Sequence, residues 1–245
     1  VAMSGAGEGW IALEQGIIVG SLEGANIRGL VVEDEHRKDL ERERYISQVF
    51  QERLGQAGLE GNIVFPEGDI AETICERAEV NDLVVLKLSH PPARSLFSRL
   101  SSGMRTILRK SSRPVMVVKG QISPLNHMLV AYDGSPKGRE ALFIAKYLAE
   151  RYERSLSLMV VDADPERGEA LLNEASDYLG EGCQNYILRK GDGDIAEVIS
   201  STMHEINADL ILIGGYGLPP LLEAAFGSVV NGVLRRTYVP VIVCQ

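Results

Sequence analysis

The sequence predicts two consecutive α/β domains, each a five-stranded, parallel, doubly wound (Rossmann-like) sheet with helices on both faces. Three observations predict this. The chain has 245 residues, long for one domain and suited to two of about 120. It repeats itself over its whole length. Within each repeat, short apolar, β-branched runs alternate with longer stretches of helical periodicity, the pattern of parallel strands covered on both sides.

The repeat is plain in the text. VAMSGAGEGWIALEQ at residue 1 matches VAYDGSPKGREALFI at residue 130 without a gap, so that Gly5 meets Gly134 and Gly9 meets Gly138. Gly68-Asp69-Ile70-Ala71-Glu72 recurs as Gly193-Asp194-Ile195-Ala196-Glu197. Asp82–Leu86 corresponds to Asp209–Ile213, and Arg113–Val118 to Val239–Cys244. The order is kept and the period is far too long for a solenoid, so a domain has been duplicated. The seam is Gly120-Gln121-Ile122-Ser123-Pro124, punctuated by Gly, Ser and Pro. This predicts domains over residues 1–120 and 126–245. By the repeat, Val1 falls in the middle of its first strand, so the natural chain is expected to be longer.

The elements follow in order. In the first copy, Ile46, Val49, Phe50 and Leu54 form one helical stripe, and the charged stretch Glu33–Arg44 ahead of it reads as a solvated face. In the second copy, strands are expected at His127–Tyr132, Leu156–Val161, Asn185–Leu188, Leu210–Ile213 and Val239–Cys244. Ile195, Ile199, Met203 and Ile206 fall on one helical stripe. A last helix carries Val229, Val230, Val233 and Leu234. The apolar runs Arg113–Val118 and Val239–Cys244 are expected at sheet edges. There they would pair with each other inside one chain, with a homodimer as a further step.

Composition excludes several function classes. Lysine and arginine number 25 against 34 aspartates and glutamates, a net charge of −9, so no nucleic-acid partner is expected. No apolar run approaches the ~18 residues of a membrane span, so no membrane association is expected. Cys75, Cys183 and Cys244 are widely separated and odd in number, which fits a reduced, cytoplasmic protein. The four histidines have no metal-ligand spacing. Neither a Walker A loop, a GxGxxG turn nor a GxSxG elbow is present.

The chemistry gathers at the end of the second copy. Gly214, Gly217 and Gly227-Ser228 follow the fourth strand directly and lead into the last helix. Glycines admit close backbone approach, and a helix N-terminus beginning at a serine offers N–H groups to an anion. Asp133-Gly134-Ser135 ends the first strand. It reads either as a turn or helix cap, or as one side of a ligand crevice where the strand order reverses.

With these residues in view, the chain resembles a tandem universal stress protein over its full length. The family's ATP-binding pattern, G-x2-G-x9-G-(S/T), is met by Gly214, Gly217, Gly227 and Ser228, and Asn231 fits its continuation. The resemblance implies the strand order 3-2-1-4-5 and pairing of domains through their last strands. It also implies adenine near Asp133 and Val161, with ribose and phosphates on the glycine loop and the following helix start. The nucleotide-binding residues it implies are Ala131, Tyr132, Asp133, Val161, Gly214, Gly217, Gly227, Ser228 and Val229. The ligand it implies is ATP (or AMP or ADP), alone or with Mg²⁺, and the role is in stress response or signalling.

The first copy departs from the pattern. Ser4 stands in place of Asp133, Lys87 and His90 replace the first two glycines, and Ser101-Ser102 replaces Gly-Ser. One nucleotide per chain is therefore expected, in the second domain. Lys87, His90 and Arg94 read as solvated surface. In the second copy, Pro219 and Pro220 remove two N–H donors, and Glu223 puts an acid in the loop. Two other readings stay open: a slow adenine-nucleotide hydrolase and a nucleotide-free interaction module. No positioned general base or carboxylate cluster accompanies the motif, which speaks against a dedicated enzyme.

Overall fold

Strands without a polar side chain need cover on both faces. Val115–Val118 and Val241–Cys244 are such strands, and each is buried along its whole length. A computed structural model of the protein describes residues 1–5, 7–33, 39–88, 102–191, 193–215 and 229–245. In the first half the strands are β1 (Ile27–Leu30), β2 (Gly61–Val64), β3 (Val84–Lys87) and β4 (Val115–Val118). The helices are α1 (Ile11–Glu23), α2 (Leu40–Gln56), α3 (Ile70–Ala78) and α4 (Ser102–Lys110). The second half carries β5 (His127–Tyr132), β6 (Ser155–Asp162), β7 (Asn185–Lys190), β8 (Leu210–Gly214) and β9 (Val241–Cys244). Its helices are α5 (Pro136–Tyr152), α6 (Pro165–Leu179), α7 (Ile195–Glu205) and α8 (Val229–Arg236).

A seven-stranded sheet runs β3-β4-β9-β8-β5-β6-β7. Every pair in it is parallel except β4 with β9, where Val115 faces Val243 and Val117 faces Val241 in antiparallel register. Within the second half the order is 3-2-1-4-5, as the resemblance implies. In the first half, β1 and β2 form a parallel pair. Ala2 bridges β1 to β3, in parallel with both, so one residue does there what the six of β5 do in the second half.

The helices form two layers. On one face, Ala71 and Ile74 of α3 and Met104, Ile107 and Leu108 of α4 share a core with residues of α7 and α8. On the other, Ala12 of α1 joins Ala141, Leu142, Ala145 and Leu148 of α5 and Ala175 and Leu179 of α6. Ile46, Phe50 and Leu54 of α2 extend this layer over Ile27. No helix among the described residues is long and apolar enough to cross a membrane.

Local chemistry sets the helix starts. Asp39, Asp69, Ser135, Asp164 and Asp194 cap α2, α3, α5, α6 and α7, each side chain accepting from N–H groups of the first turn. The repeated Gly-Asp-Ile-Ala-Glu segment is thus a helix-start signal in both halves.

Three details differ from the sequence expectation. The first half has four strands instead of five, the single residue Ala2 standing where the first strand would run. Gly214 closes β8, opposite Cys244, instead of following the strand. Glu33 is buried, its carboxylate 2.9 Å from the Arg42 guanidinium, so the charged stretch is not simply a solvated face. Residues 34–38 of that stretch lie outside the described residues.

Polar contacts tie the halves together. Gln15, wholly buried in α1, donates from Nε2 to the Ser123 carbonyl at 3.1 Å and accepts from the Ser123 N–H at 2.7 Å. At the position aligned with Gln15 the second half has Ile144. Glu23, at the end of α1, accepts from the hydroxyls of Tyr147 and Tyr152 on α5, 2.9 and 2.7 Å away.

Candidate functional site

The topological switch of the second half lies between β5 and β8. From β5 the chain moves to β6 on one side, and later returns to β8 on the other, with Ala131 opposite Ile213. Ligands of such sheets lie beyond the carboxyl ends of the strands at this point. Asp133 and Gly214 both stand there.

Asp133 follows β5. Its Oδ1 accepts from the Ser135 N–H at 2.9 Å, an Asx turn that starts α5. Ser135 Oγ accepts from the Gly138 N–H at 3.0 Å. Gly134 has φ +77°, and a Cβ there would lie 2.5 Å from Leu171 of α6, so glycine is required. Asp133 Oδ1 also fills the space a side chain at Gly138 would need. The carboxylate is thereby held inside the first turn of α5, at the positive end of the helix.

Gly214 closes the same cluster. A Cβ on it would lie 2.8 Å from the Gly138 nitrogen and 3.0 Å from the Lys137 carbonyl carbon. At Gly214 the glycine therefore serves contact with the first turn of α5. Gly215 is constrained similarly: its N–H donates to the Cys244 carbonyl at 2.8 Å, and that oxygen occupies its Cβ position. Asp133, Gly138 and Gly214 thus form one cluster. Gly138 carries a signal in the sequence, because both repeats retain it, as Gly9 and Gly138.

The other candidates are placed as follows. Ala131 and Val161 are partly buried on the α7/α8 face of the sheet. Tyr132 turns to the opposite layer, and its hydroxyl donates to Glu174 Oε1 at 2.9 Å. Arg139 donates to the same oxygen at 3.2 and 3.1 Å. Burial, then the bond to Glu174, holds the phenol above its ordinary pKa. The bond from Tyr132 and those from Arg139 lower the Glu174 carboxyl. The Tyr132 ring is thus committed to the α5/α6 layer. Val229 opens α8 and is 38% exposed. Gly217, Gly227 and Ser228, with Pro219, Pro220 and Glu223, lie outside the described residues.

In the first half, Ser4 occupies the Asp133 position, and its Oγ fills the Cβ space of Gly9 as Asp133 fills that of Gly138. Lys87 ends β3 where Gly214 ends β8. The helix that should abut it begins differently: Gly7–Trp10 is a 3-10 turn, and Trp10 gives α1 no side-chain cap. A side chain at the strand end and a 3-10 turn leading into α1 thus occur together. Arg42 spans the strand ends, donating to Glu33 and, at 2.8 Å, to the Ser4 carbonyl. The second-half counterpart, Arg167 with Asp162, is looser at 3.4 Å. His90, Arg94 and Ser101 lie outside the described residues.

A cavity of about 270 Å³ opens in the first half beside Arg28, Asn62, Ile74 and Arg77. It lies at the amino ends of β1 and β3, away from the switch-point edge, in the place His127–Leu129 take in the second half.

Two halves built on a mostly parallel sheet with helices on both faces, one with a glycine strand end against a capped helix start, define a class of doubly wound α/β protein. The sequence profile described as the universal stress protein family matches residues 124–245. Universal stress protein Slr1230 of Synechocystis sp. is 25% identical over 193 residues, covering 77% of this chain and 67% of that one. The chain belongs to the universal stress protein family. Among solved structures, a universal stress protein from Archaeoglobus fulgidus matches with TM-score 0.79 and 23% identity, over 100% of this chain and 94% of that one. A putative universal stress protein from Pseudomonas aeruginosa matches with TM-score 0.74 and 19% identity, over 100% and 91%. These structures share the fold across both halves.

Proposed function

We propose that the protein binds one adenine nucleotide per chain in its second domain, residues 126–245, and acts in stress response or signalling through the bound state. The observation that carries this is the cluster of Asp133, Gly138 and Gly214, continuous in sequence with Gly217, Gly227 and Ser228. The described residues suit such a ligand. Gly214 and Gly215 let the first turn of α5 and the end of β9 close on the end of β8, and the capped start of α5 turns its positive end to the same edge. Gly214, Gly217, Gly227, Ser228 and Val229 would hold the phosphates and ribose; Ala131, Asp133 and Val161 would border the base. Tyr132 would contribute through its backbone.

Residues 1–120 form the partner domain in this proposal, with the two domains joined through β4 and β9. A homodimer is a further step. A cytoplasmic setting accords with three unpaired thiols, two of them buried. The test is mass spectrometry of ligand released from the purified chain. Bound ATP, ADP or AMP is expected. Protein free of nucleotide that also takes up none on incubation with ATP would favour an interaction module.

A further inference from the structure

Val1, Ala2 and Met3 lie between β1 and β3 as a third strand would. The Val1 amine donates to the Arg28 carbonyl at 2.6 Å. The Leu30 N–H donates to the Val1 carbonyl at 2.9 Å, the Ala2 N–H to the Val85 carbonyl at 2.8 Å and the Met3 N–H to the Leu30 carbonyl at 2.9 Å. Behind Val1, β1 runs back to Ile27 and β3 to Val84, and the cavity of about 270 Å³ separates them. In a parallel ladder, alternate residues bond to opposite neighbours. Ile27 and Val31 donate toward β2, and Val84 donates to Pro114 ahead of β4. The Arg28 and Val85 N–H groups therefore face the gap, and among the described residues neither has a main-chain partner. Val85 is buried, where a donor without a partner is costly.

The wall of the gap is apolar: Leu30, Ile74, Ala78 and Val84 belong to the core on the α3/α4 face. The Arg28 side chain crosses from β1 toward β3, donating from Nη1 to the Val80 carbonyl at 3.0 Å. The Val1 amine stands at the inner end, and burial pushes its pKa down to about 5. An amide nitrogen in its place would keep the one N–H that the Arg28 carbonyl takes and carry no charge. The second half fills the same place: Met128 and Leu129 are fully buried there, in opposite layers, and β5 pairs with both β6 and β8.

We propose that the gap between β1 and β3 is a strand-binding groove, whose occupant is an extended apolar segment that runs parallel to both strands and joins the ladder at Val1. Its last two residues place their side chains in opposite layers, so both are apolar. Its main-chain groups pair with those that β1 and β3 leave open. A peptide bond to Val1 suits this place better than a separate peptide, whose terminal carboxylate would be desolvated against the buried amine. The groove is remote from the switch-point edge and does not depend on nucleotide binding.

The test compares the full chain with two fusions ahead of Val1. One is Asn-His-Met-Leu, the sequence of residues 126–129. The other is Asn-His-Gln-Gln, equal in length and polar at the two inward positions. The apolar fusion should raise the thermal midpoint by about 5 °C and slow amide hydrogen exchange at Arg28 and Val85 at least about tenfold. The polar fusion should do neither. Equal midpoints for all three chains would overturn the proposal, as would exchange at Arg28 and Val85 that the apolar fusion leaves unchanged. Equal gains from both fusions would also overturn it, because the groove would then not select apolar side chains. Protection of the two amides in the parent that grows with protein concentration would put a second copy in the groove, and would overturn the in-line segment as its occupant.

Discussion

The two halves share their helix layers, but the second has five strands where the first has four and the single bridging residue Ala2, and they differ again where a ligand would lie. Asp133 and Ser4 both tuck into the Cβ space of a glycine one turn along, Gly138 and Gly9. One strand position then separates them. Gly214 lets α5 begin against the sheet with a serine cap, whereas Lys87 ends β3 and α1 follows a 3-10 turn. The fold thus tolerates a change that the site would not, because the fold rests on the apolar strands and the site on one backbone-to-backbone contact.

The sharpest way to break the comparison is Gly214→Lys, which writes the first-half residue into the second half. Its Cβ would meet the Gly138 nitrogen at 2.8 Å, so the first turn of α5 must shift. Nucleotide binding should be lost, and chemical denaturation should show a destabilisation of about 3 kcal/mol, the upper end for an overpacked site. Unchanged ATP binding in this variant would separate the glycine contact from the site.

Gln15→Ile performs the reverse exchange, placing the second-half residue of position 144 into α1. It strips the Ser123 N–H and carbonyl of their buried partner. Each unsatisfied group costs about 1–3 kcal/mol. Urea unfolding should therefore show a loss of about 2–4 kcal/mol, with the first half most affected.

A smaller contrast comes from the two arginines over the strand ends. The Glu33 side chain is 3% exposed and its partner Arg42 41%, while Arg167 is 65% exposed beside Asp162. Arg42→Ala should cost about 1–3 kcal/mol, below the figure for a fully buried pair, and Arg167→Ala less than about 1 kcal/mol. Equal costs in thermal denaturation would show that Glu33 finds other partners.

Much of the architecture was legible in the residues. Strands such as Val115–Val118 and Leu210–Ile213 have no alternative to a covered sheet, and the two Gly-Asp-Ile-Ala-Glu segments mark helix starts whose aspartates do cap α3 and α7. Strand ends were less legible: the apolar run stops at Ile213, yet pairing with Cys244 keeps Gly214 in β8. The burial of Glu33 was hidden, since a run of charges reads as solvated until a partner such as Arg42 is seen above it. At the site, Asp133 was correctly placed at the strand end beside Gly214. Gly214 also has a structural role that the sequence did not show: it admits the start of α5. That contact joins residues 76 apart in sequence, which no local pattern exposes.

The central claim is that one half keeps a nucleotide site and the other has lost it. Calorimetric titration of the full chain with ATP, repeated on the Gly214→Lys variant, tests it most directly. The account predicts one site per chain in the parent and none in the variant. Two equivalent sites in the parent, or one site that persists when Gly214 is replaced, would contradict it.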